Sequence, residues 1–231
     1  MTTALIVGAG SGLSASLARL FSREGMTVAL AARDTEKLAE LCKETGASAH
    51  ACDAGDAEQV AKLFADLDSG PGAPELAVYN PSARLRGPLV ELDPAEVERA
   101  LRITAFGAFL VAQQAAKRML AAGKGTILLT GASAGVKGYP QSAPFAMGKF
   151  ALRGLAQSMA RELHPQNVHI GHVVIDGQIA NPGRSGYQPD PDKPDAKLDP
   201  EAIARQYLNL HRQERSAWAW EIELRPWVER F

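Results

Sequence analysis

The stretch ALIVGAGSGLSASLA, residues 4–18, decides how the rest of the chain is read. Four apolar residues, Ala4–Val7, run into Gly8, Gly10 and Gly12. Leu13, Leu17, Leu20 and Phe21 then recur at helical spacing. The pattern is a short strand, a tight turn and a helix. Glycines in such a turn let a pyrophosphate approach the backbone, and the helix N-terminus behind it offers free N–H groups and partial positive charge. The spacing is not GxGxxG, because Leu13 stands in the third glycine place. It nearly fits GxxxGxG, read through Gly8 and Gly12 to Ser14. Taken alone, the glycines fit a plain structural turn as well.

Outward from this unit, strand-like and helix-like segments alternate to the end of the chain. Thr27–Ala32 is an apolar run with β-branched members. Asp34 can cap a helix carrying Leu38, Leu41 and Cys42 that stops at Gly46. Ser48–Asp53 reads as a weak third strand, and Asp56 with Gln59 as the capping box of a helix reaching about Leu67. Glu75–Asn80 is a fourth strand. Asp93-Pro94-Ala95-Glu96 is a strong helix start, and the helix runs to Ala122 with a bend near Gly107. Gly125–Thr130 is a fifth strand; Pro144 opens a long helix that ends at Pro165; His169–Asp176 is a sixth strand. Asn181–Pro200, rich in proline, aspartate and glycine, reads as a mobile loop. Asp199-Pro200-Glu201 starts a last helix, and Trp218–Leu224 is a final strand. Strands separated by helices imply parallel pairing, hence one doubly wound α/β domain over residues 1–231, a Rossmann-like parallel sheet of about seven strands with helices on both faces.

Composition agrees with this and excludes several classes. Of 231 residues, 46% are hydrophobic, enough for a sizeable core. A net charge of −1 with both signs mixed points away from nucleic acid. Cys42 and Cys52 are read as reduced structural thiols, and no Cys/His cluster indicates a metal. The first residues lack the charged region and cleavage site of a signal peptide, and no apolar run has the length of a membrane span, so the expectation is a cytoplasmic protein.

Five landmarks follow in order: VGAGSGLSA at 7–15, CDAGD at 52–56, YNPSA at 79–83, LLTGASAG at 128–135 and FAMGKFAL at 145–152. Together they resemble the short-chain dehydrogenase/reductase family across nearly the whole chain. That resemblance implies a nicotinamide dinucleotide held by Gly8, Gly10, Ser11, Gly12 and Leu13 at the turn. It also implies Asp53 and Ala54 at the adenine, Asn80 at the adenine-ribose wall, Lys149 at the nicotinamide ribose and Ile179 at the carboxamide. Asp53 also reads as a turn aspartate. Pro81, in the second Asn place of the family's NNAG, is a departure, as is the closing RSAWAWEIELRPW.

The choice of dinucleotide rests on Ala31-Ala32-Arg33-Asp34. A carboxylate at the second strand's end would bind a ribose 2′-OH and repel a 2′-phosphate. Ala32 stands there instead, and the Arg33 guanidinium can take a phosphate bidentately, with Ser11 adding a hydroxyl. The expectation is NADP(H) rather than NAD(H). Arg33 as a solvated loop residue and Asp34 as a ribose ligand instead of a helix cap are the readings that stand beside it.

The catalytic positions implied by the resemblance are altered. The family uses a tyrosine as proton donor, a lysine four residues on, a serine thirteen before the tyrosine and an asparagine on the long preceding helix. Here Lys149 is present, but the other places hold Phe145, Ala132 and Thr104. Phenylalanine has no exchangeable proton, and alanine donates no hydrogen bond. Nearby groups that can substitute are Ser133, Tyr139, Ser142 and Lys149 through a water; Asp176 is a new carboxylate near the nicotinamide end, or a turn residue. Two functions fit: an NADP-dependent oxidoreductase with a rearranged proton relay, or a non-catalytic NADP(H)-binding regulator or partner subunit. The two long helices resemble the family's dimer helices and imply a homodimer or homotetramer. Trp218, Trp220 and Trp227 read as core or subunit-contact aromatics.

Overall fold

In a computed structural model of the protein, residues 2–188, 190–193 and 195–229 are described. The strands are β1 (Thr3–Val7), β2 (Thr27–Ala32), β3 (Ser48–Ala51), β4 (Leu76–Tyr79), β5 (Gly125–Thr130), β6 (Val168–Ile175) and β7 (Glu221–Leu224). They form one sheet in the order β3-β2-β1-β4-β5-β6-β7, and every pairing is parallel. The helices are α1 (Leu13–Arg23), α2 (Ala39–Thr45), α3 (Ala57–Ser69), α4 (Pro94–Leu101), α5 (Gly107–Ala122), α6 (Ala143–Leu163) and α7 (Pro200–His211). The expected doubly wound architecture is therefore the observed one.

The central strands are apolar throughout because both faces are covered. Along β1, Leu5 and Val7 enter one core with α3, α5 and α6, while Ala4 and Ile6 enter the other with α1, α2 and α7. Chain order reverses between β1 and β4, and a crevice opens at the carboxyl ends of strands at such a switch point. Gly8 and Asn80 stand at those two ends. β7 is short, and α6 pins it: Arg153 Nε and Nη2 each donate to Glu221 at 2.7 Å, and Glu221 meets buried His172 of β6 at 2.9 Å. The guanidinium holds the Glu221 carboxyl below its usual range, and burial lowers the His172 imidazole below its own.

Several boundaries differ from the sequence reading. Asp34 does not cap α2; its carboxylate accepts from the Glu36 N–H at 3.2 Å and opens a 3₁₀ turn, Glu36–Leu38, that precedes the helix. The weak third strand stops at Ala51, because the Cys52–Asp56 segment turns toward α3. As expected, the long helix from Pro94 to Ala122 is interrupted next to Gly107, by a π turn at Arg102–Phe106. A π turn leaves a carbonyl without its usual helical partner, and the Tyr79 hydroxyl donates to Ile103 O. Gly107 is required there: a Cβ would lie 2.6 Å from Ala54 O. α6 ends at Leu163, Pro165 lying in the 3₁₀ turn beyond it, and the final strand begins at Glu221 rather than Trp218.

Cys42 and Cys52 are free thiols, and burial pushes that of Cys52 up to about 11. Trp218 stacks on buried His169 with ring centroids 4.5 Å apart. Among the described residues no helix is long and apolar enough to cross a membrane, and no group of acidic, histidine and cysteine side chains is arranged around a metal position.

Candidate active site

The crevice at the switch point is a groove of about 940 Å³. Gly8–Ser11 form its floor, Ala32–Asp34 and Lys37 one end, Asp53 and Ala54 one wall, and Asn80–Leu85 the other. Each group is carried there by the end of a strand. Gly8 has φ +82, and a Cβ on it would lie 2.7 Å from Pro81, so the turn needs glycine for backbone angle and for space. Gly8 and Ala9 N–H donate to Ala31 O, which ties the turn to β2. Gly12 caps α1, and the first turn of α1 carries no acid, so the partial positive charge of the helix end is not neutralised by the chain itself.

A polar relay braces this turn. Asn80 Nδ2 donates to Ser14 Oγ at 2.8 Å, and Ser14 Oγ donates to Gly8 O at 3.0 Å. The residue in the third glycine place is thus the post between β4 and the turn, and Asn80 spends its amide on it. Leu13 is buried in the core and offers only its backbone to the groove side. Above Gly12 lies Asn181, whose amide is 3.5 Å from Ser11 Oγ, and the backbone at Gly183 packs on Ser11 O. The 181–200 segment, read as a mobile loop, therefore reaches the glycine turn. Its base is closed by the Ile179–Leu198 bridge, and Pro189 and Pro194 lie outside the described residues. Gly12, Leu13 and Ile179 stand around the groove rather than in its lining.

At the β2 end Asp34 is engaged by Lys37 at 2.7 Å, which lowers its carboxyl below the usual range, while Arg33 is exposed and has no ion pair among the described residues. Asp53 is a turn aspartate in its local bonding, accepting from Gly55 N–H at 2.9 Å, and it also lines the groove. The two readings of Asp53 are compatible, since one oxygen serves the turn.

The four catalytic positions converge beside the groove. Thr104 is buried on the π turn and accepts from Ala83 N–H at 3.1 Å, so it braces the loop after β4. Ala132 follows β5 in extended conformation, with Ser133 opening the 3₁₀ turn after it. Phe145 and Lys149 lie one turn apart on α6, both buried. Lys149 Nζ donates to Thr130 O at 2.7 Å and lies 5.9 Å from the Phe145 ring centroid. Burial, and secondarily the nearby charge of Arg84, brings its ammonium down to about 7. Of the other groups considered as donors, Ser142 is buried, and Tyr139 is exposed with Lys137 over its ring. Asp176 is buried and paired with Arg225 at 3.4 Å.

One residue at this site has no signal in the landmarks. Arg84, four residues after Asn80, places its guanidinium 5.0 Å above the Phe145 ring centroid. Only its position in the loop after a strand that ends at the switch point marks it in the sequence.

A parallel sheet with a glycine turn at its switch point, and a lysine on the helix after the fifth strand, defines a dinucleotide-binding oxidoreductase fold. The model of the short chain dehydrogenase family matches residues 2–182. The chain belongs to that family. It is 31% identical over 186 residues to the cyclic-di-GMP-binding biofilm dispersal mediator protein of Escherichia coli, covering 78% of this chain and 75% of that one. It is 30% identical over 177 residues to versicolorin reductase 1 of Aspergillus parasiticus, covering 74% and 67%. Among solved structures, a short-chain dehydrogenase from Rhodopseudomonas palustris superposes with a TM-score of 0.85 at 32% identity, over 98% of this chain and 99% of that one. A metagenomic short-chain oxidoreductase in complex with NADP gives 0.83 at 26%, over 98% of each.

Proposed function

We propose that this protein is a cytoplasmic NADP(H)-dependent oxidoreductase whose proton relay departs from the family pattern. The observation that carries the reading is the groove itself. It has an unpaired arginine and no strand-end acid at one end, a glycine turn leading into a helix N-terminus without acids at its floor, and a buried lysine beyond its other end. In this reading Gly8 sets the turn, the backbone N–H groups of Gly10–Leu13 hold the pyrophosphate, Arg33 with Ser11 holds the 2′-phosphate, and Asp53 and Ala54 hold the adenine. Asn80 keeps the glycine turn in place through Ser14. Lys149 holds the nicotinamide ribose, and Ile179 offers its backbone to the carboxamide. When bound, the dinucleotide supplies or accepts a hydride, chemistry that belongs to the cofactor.

The chain's own contribution to the proton is different from that of its relatives. Phe145 excludes water and carries no proton. Lys149, with an ammonium near 7, holds a proton at Nζ that it can release close to neutral pH. Ser133 is the nearest hydroxyl in the chain to the Ala132 place. Such a relay suits carbonyl, imine or conjugated alkene substrates that need little acid help.

Titration calorimetry with NADPH and NADH tests the cofactor assignment. NADPH should bind more tightly, and Arg33→Ala should weaken NADPH binding by roughly 1–3 kcal/mol, the scale of charge-assisted hydrogen bonds, with NADH almost unaffected. Equal or tighter NADH binding rejects it. Tight NADPH binding without turnover of any carbonyl, imine or enone would replace the oxidoreductase by a binding subunit.

The reading includes assembly. Phe106 and Phe109 stack on the outer side of the π turn and α5, and Met147 and Phe150 are exposed on α6, so both long helices carry apolar side chains toward solvent. A second copy related by a two-fold axis covers them, giving a homodimer or homotetramer. Light scattering at micromolar concentration should return a multiple of the 24.6 kDa chain mass; a monomer is the contrary result.

A further inference from the structure

Two cations meet the one aromatic ring that stands in the proton-donor place. The Arg84 guanidinium lies 5.0 Å from the Phe145 centroid and Lys149 Nζ 5.9 Å from it. Neither cation has a carboxylate partner among the described residues: Lys149 has only the Thr130 carbonyl, and Arg84 only the ring. The nearest stretch of the groove wall, Pro81–Leu85, contains no acid. Arg84 is exposed, so its guanidinium is within reach of an anion arriving from solvent, while Lys149 lies buried behind the same ring.

The ring also limits where Arg84 can point. Stacking on an aromatic face holds a planar guanidinium in a fixed orientation while its N–H edges stay free to donate. A fork held in this way fits a carboxylate bidentately and loses little freedom on binding.

We infer that Arg84, laid over Phe145 and seconded by Lys149, is a carboxylate-binding site for the substrate, so that the substrate is a carbonyl compound with a carboxylate within one or two bonds of the reacting carbon. The short separation follows from Phe145, which occupies the position beside the reacting oxygen. Where the family places a hydroxyl to hold that oxygen, this chain places a cation to hold the neighbouring group. The substrate is then oriented by charge rather than by the missing Ala132 and Phe145 hydroxyls. This inference rests on the NADP(H)-binding reading above, and it adds the substrate class to it.

The probe is oxamate, an unreactive amide isostere of a 2-oxo acid, titrated into the protein saturated with NADPH, with ethyl oxamate as the uncharged counterpart. Oxamate should bind and ethyl oxamate should bind at least tenfold more weakly. Arg84→Gln should weaken oxamate roughly 10- to 100-fold, as expected for a lost charge-assisted pair. Arg84→Lys, which keeps the charge without the fork, should fall between. NADPH affinity should change less than twofold in both variants, and their melting temperatures should match the parent's. NADPH binding that collapses with Arg84→Gln would show that the arginine serves the dinucleotide's phosphates instead and overturns the inference. Oxamate that fails to bind, or binds equally to parent and Arg84→Gln while NADPH binds normally, overturns it as well, leaving Arg84 a packing residue on the ring. A parent that binds no dinucleotide overturns the reading beneath it, and the inference with it.

Discussion

The Lys149→Met protein, free of dinucleotide, should melt well above the parent at pH 6 and converge with it near pH 10. Lys149 is 2% exposed, and its ammonium is brought down from 10.5 to about 7 by burial first and by the charge of Arg84 second. In the unfolded chain it returns to the ordinary value. Between those two values the unfolded state binds more protons than the folded one, so folding stability rises with pH across the window. Below about 7 both states carry the charge and the folded state bears the whole burial cost; above 10.5 neither does. At about 1.4 kcal/mol per pKa unit the cost is on the order of 3–5 kcal/mol. For a chain of this size that is roughly 6–20 °C in melting temperature. Methionine is close in shape and carries no charge, so it removes the cost and leaves the Thr130 carbonyl without its donor, which offsets about 1 kcal/mol of the gain. Melting curves at the two pH values check it. A parent that is the more stable at pH 6, or a gap of the same size at both pH values, shows that the lysine is not strained. The same variant should bind NADPH more weakly, so a residue that lowers stability is one the ligand needs.

Installing two hydroxyls should produce the largest change in rate. Phe145→Tyr combined with Ala132→Ser should raise the reduction of a simple neutral ketone by roughly 10²–10⁴, the usual worth of general acid catalysis. Phe145 and Lys149 are one turn apart on α6, so a phenol at 145 would stand beside an ammonium and under the Arg84 guanidinium, and both cations favour its ionised form. Ala132 leaves β5 in extended conformation, and a serine there adds one oxygen without altering the backbone. Each single change should recover little. A phenol without the serine has a proton but no second group to hold the ketone oxygen, and the serine alone has no acid of suitable pKa beside it. The pair should therefore exceed the product of the singles, as groups that act as a unit do. The assay is NADPH oxidation with a panel of neutral ketones. A double variant no faster than the better single would mean that the α6 geometry does not present position 145 to the substrate. Fast turnover by the parent would mean that another donor, with Ser133 and Tyr139 the first to examine, is already in place.

Most of the architecture was legible because its causes are local. Apolar runs without alternation mark strands covered on both faces, and Leu5 and Ile6 do enter opposite cores. Asp56, Asp93 and Asp199 cap helices as read, each accepting backbone N–H bonds from residues two or three positions on. The errors fall where neighbours in space override neighbours in sequence. Asp34 is drawn to Lys37 and the 3₁₀ turn instead of capping α2. The break expected near Gly107 is there, but its form, a π turn whose Ile103 carbonyl accepts from the Tyr79 hydroxyl at the end of β4, depends on that distant contact.

The site divides along the same line. By itself the sequence determined the glycine turn at Gly8–Gly12, the absence of an acid at Ala32, and the spacing of Phe145 and Lys149. Turn chemistry and helical periodicity are properties of a few adjacent residues, and they need no fold to be read. Only the tertiary structure decided what those residues face. It set Asn80 on Ser14 and Ser14 on Gly8 O, turned Thr104 to the Ala83 N–H, and laid Arg84 from the loop after β4 over a ring on α6. Contacts between distant segments follow from strand order and helix packing, which bring the ends of β1, β4 and β5 to one crevice; nothing in the residues near Arg84 in the chain states that its partner is Phe145.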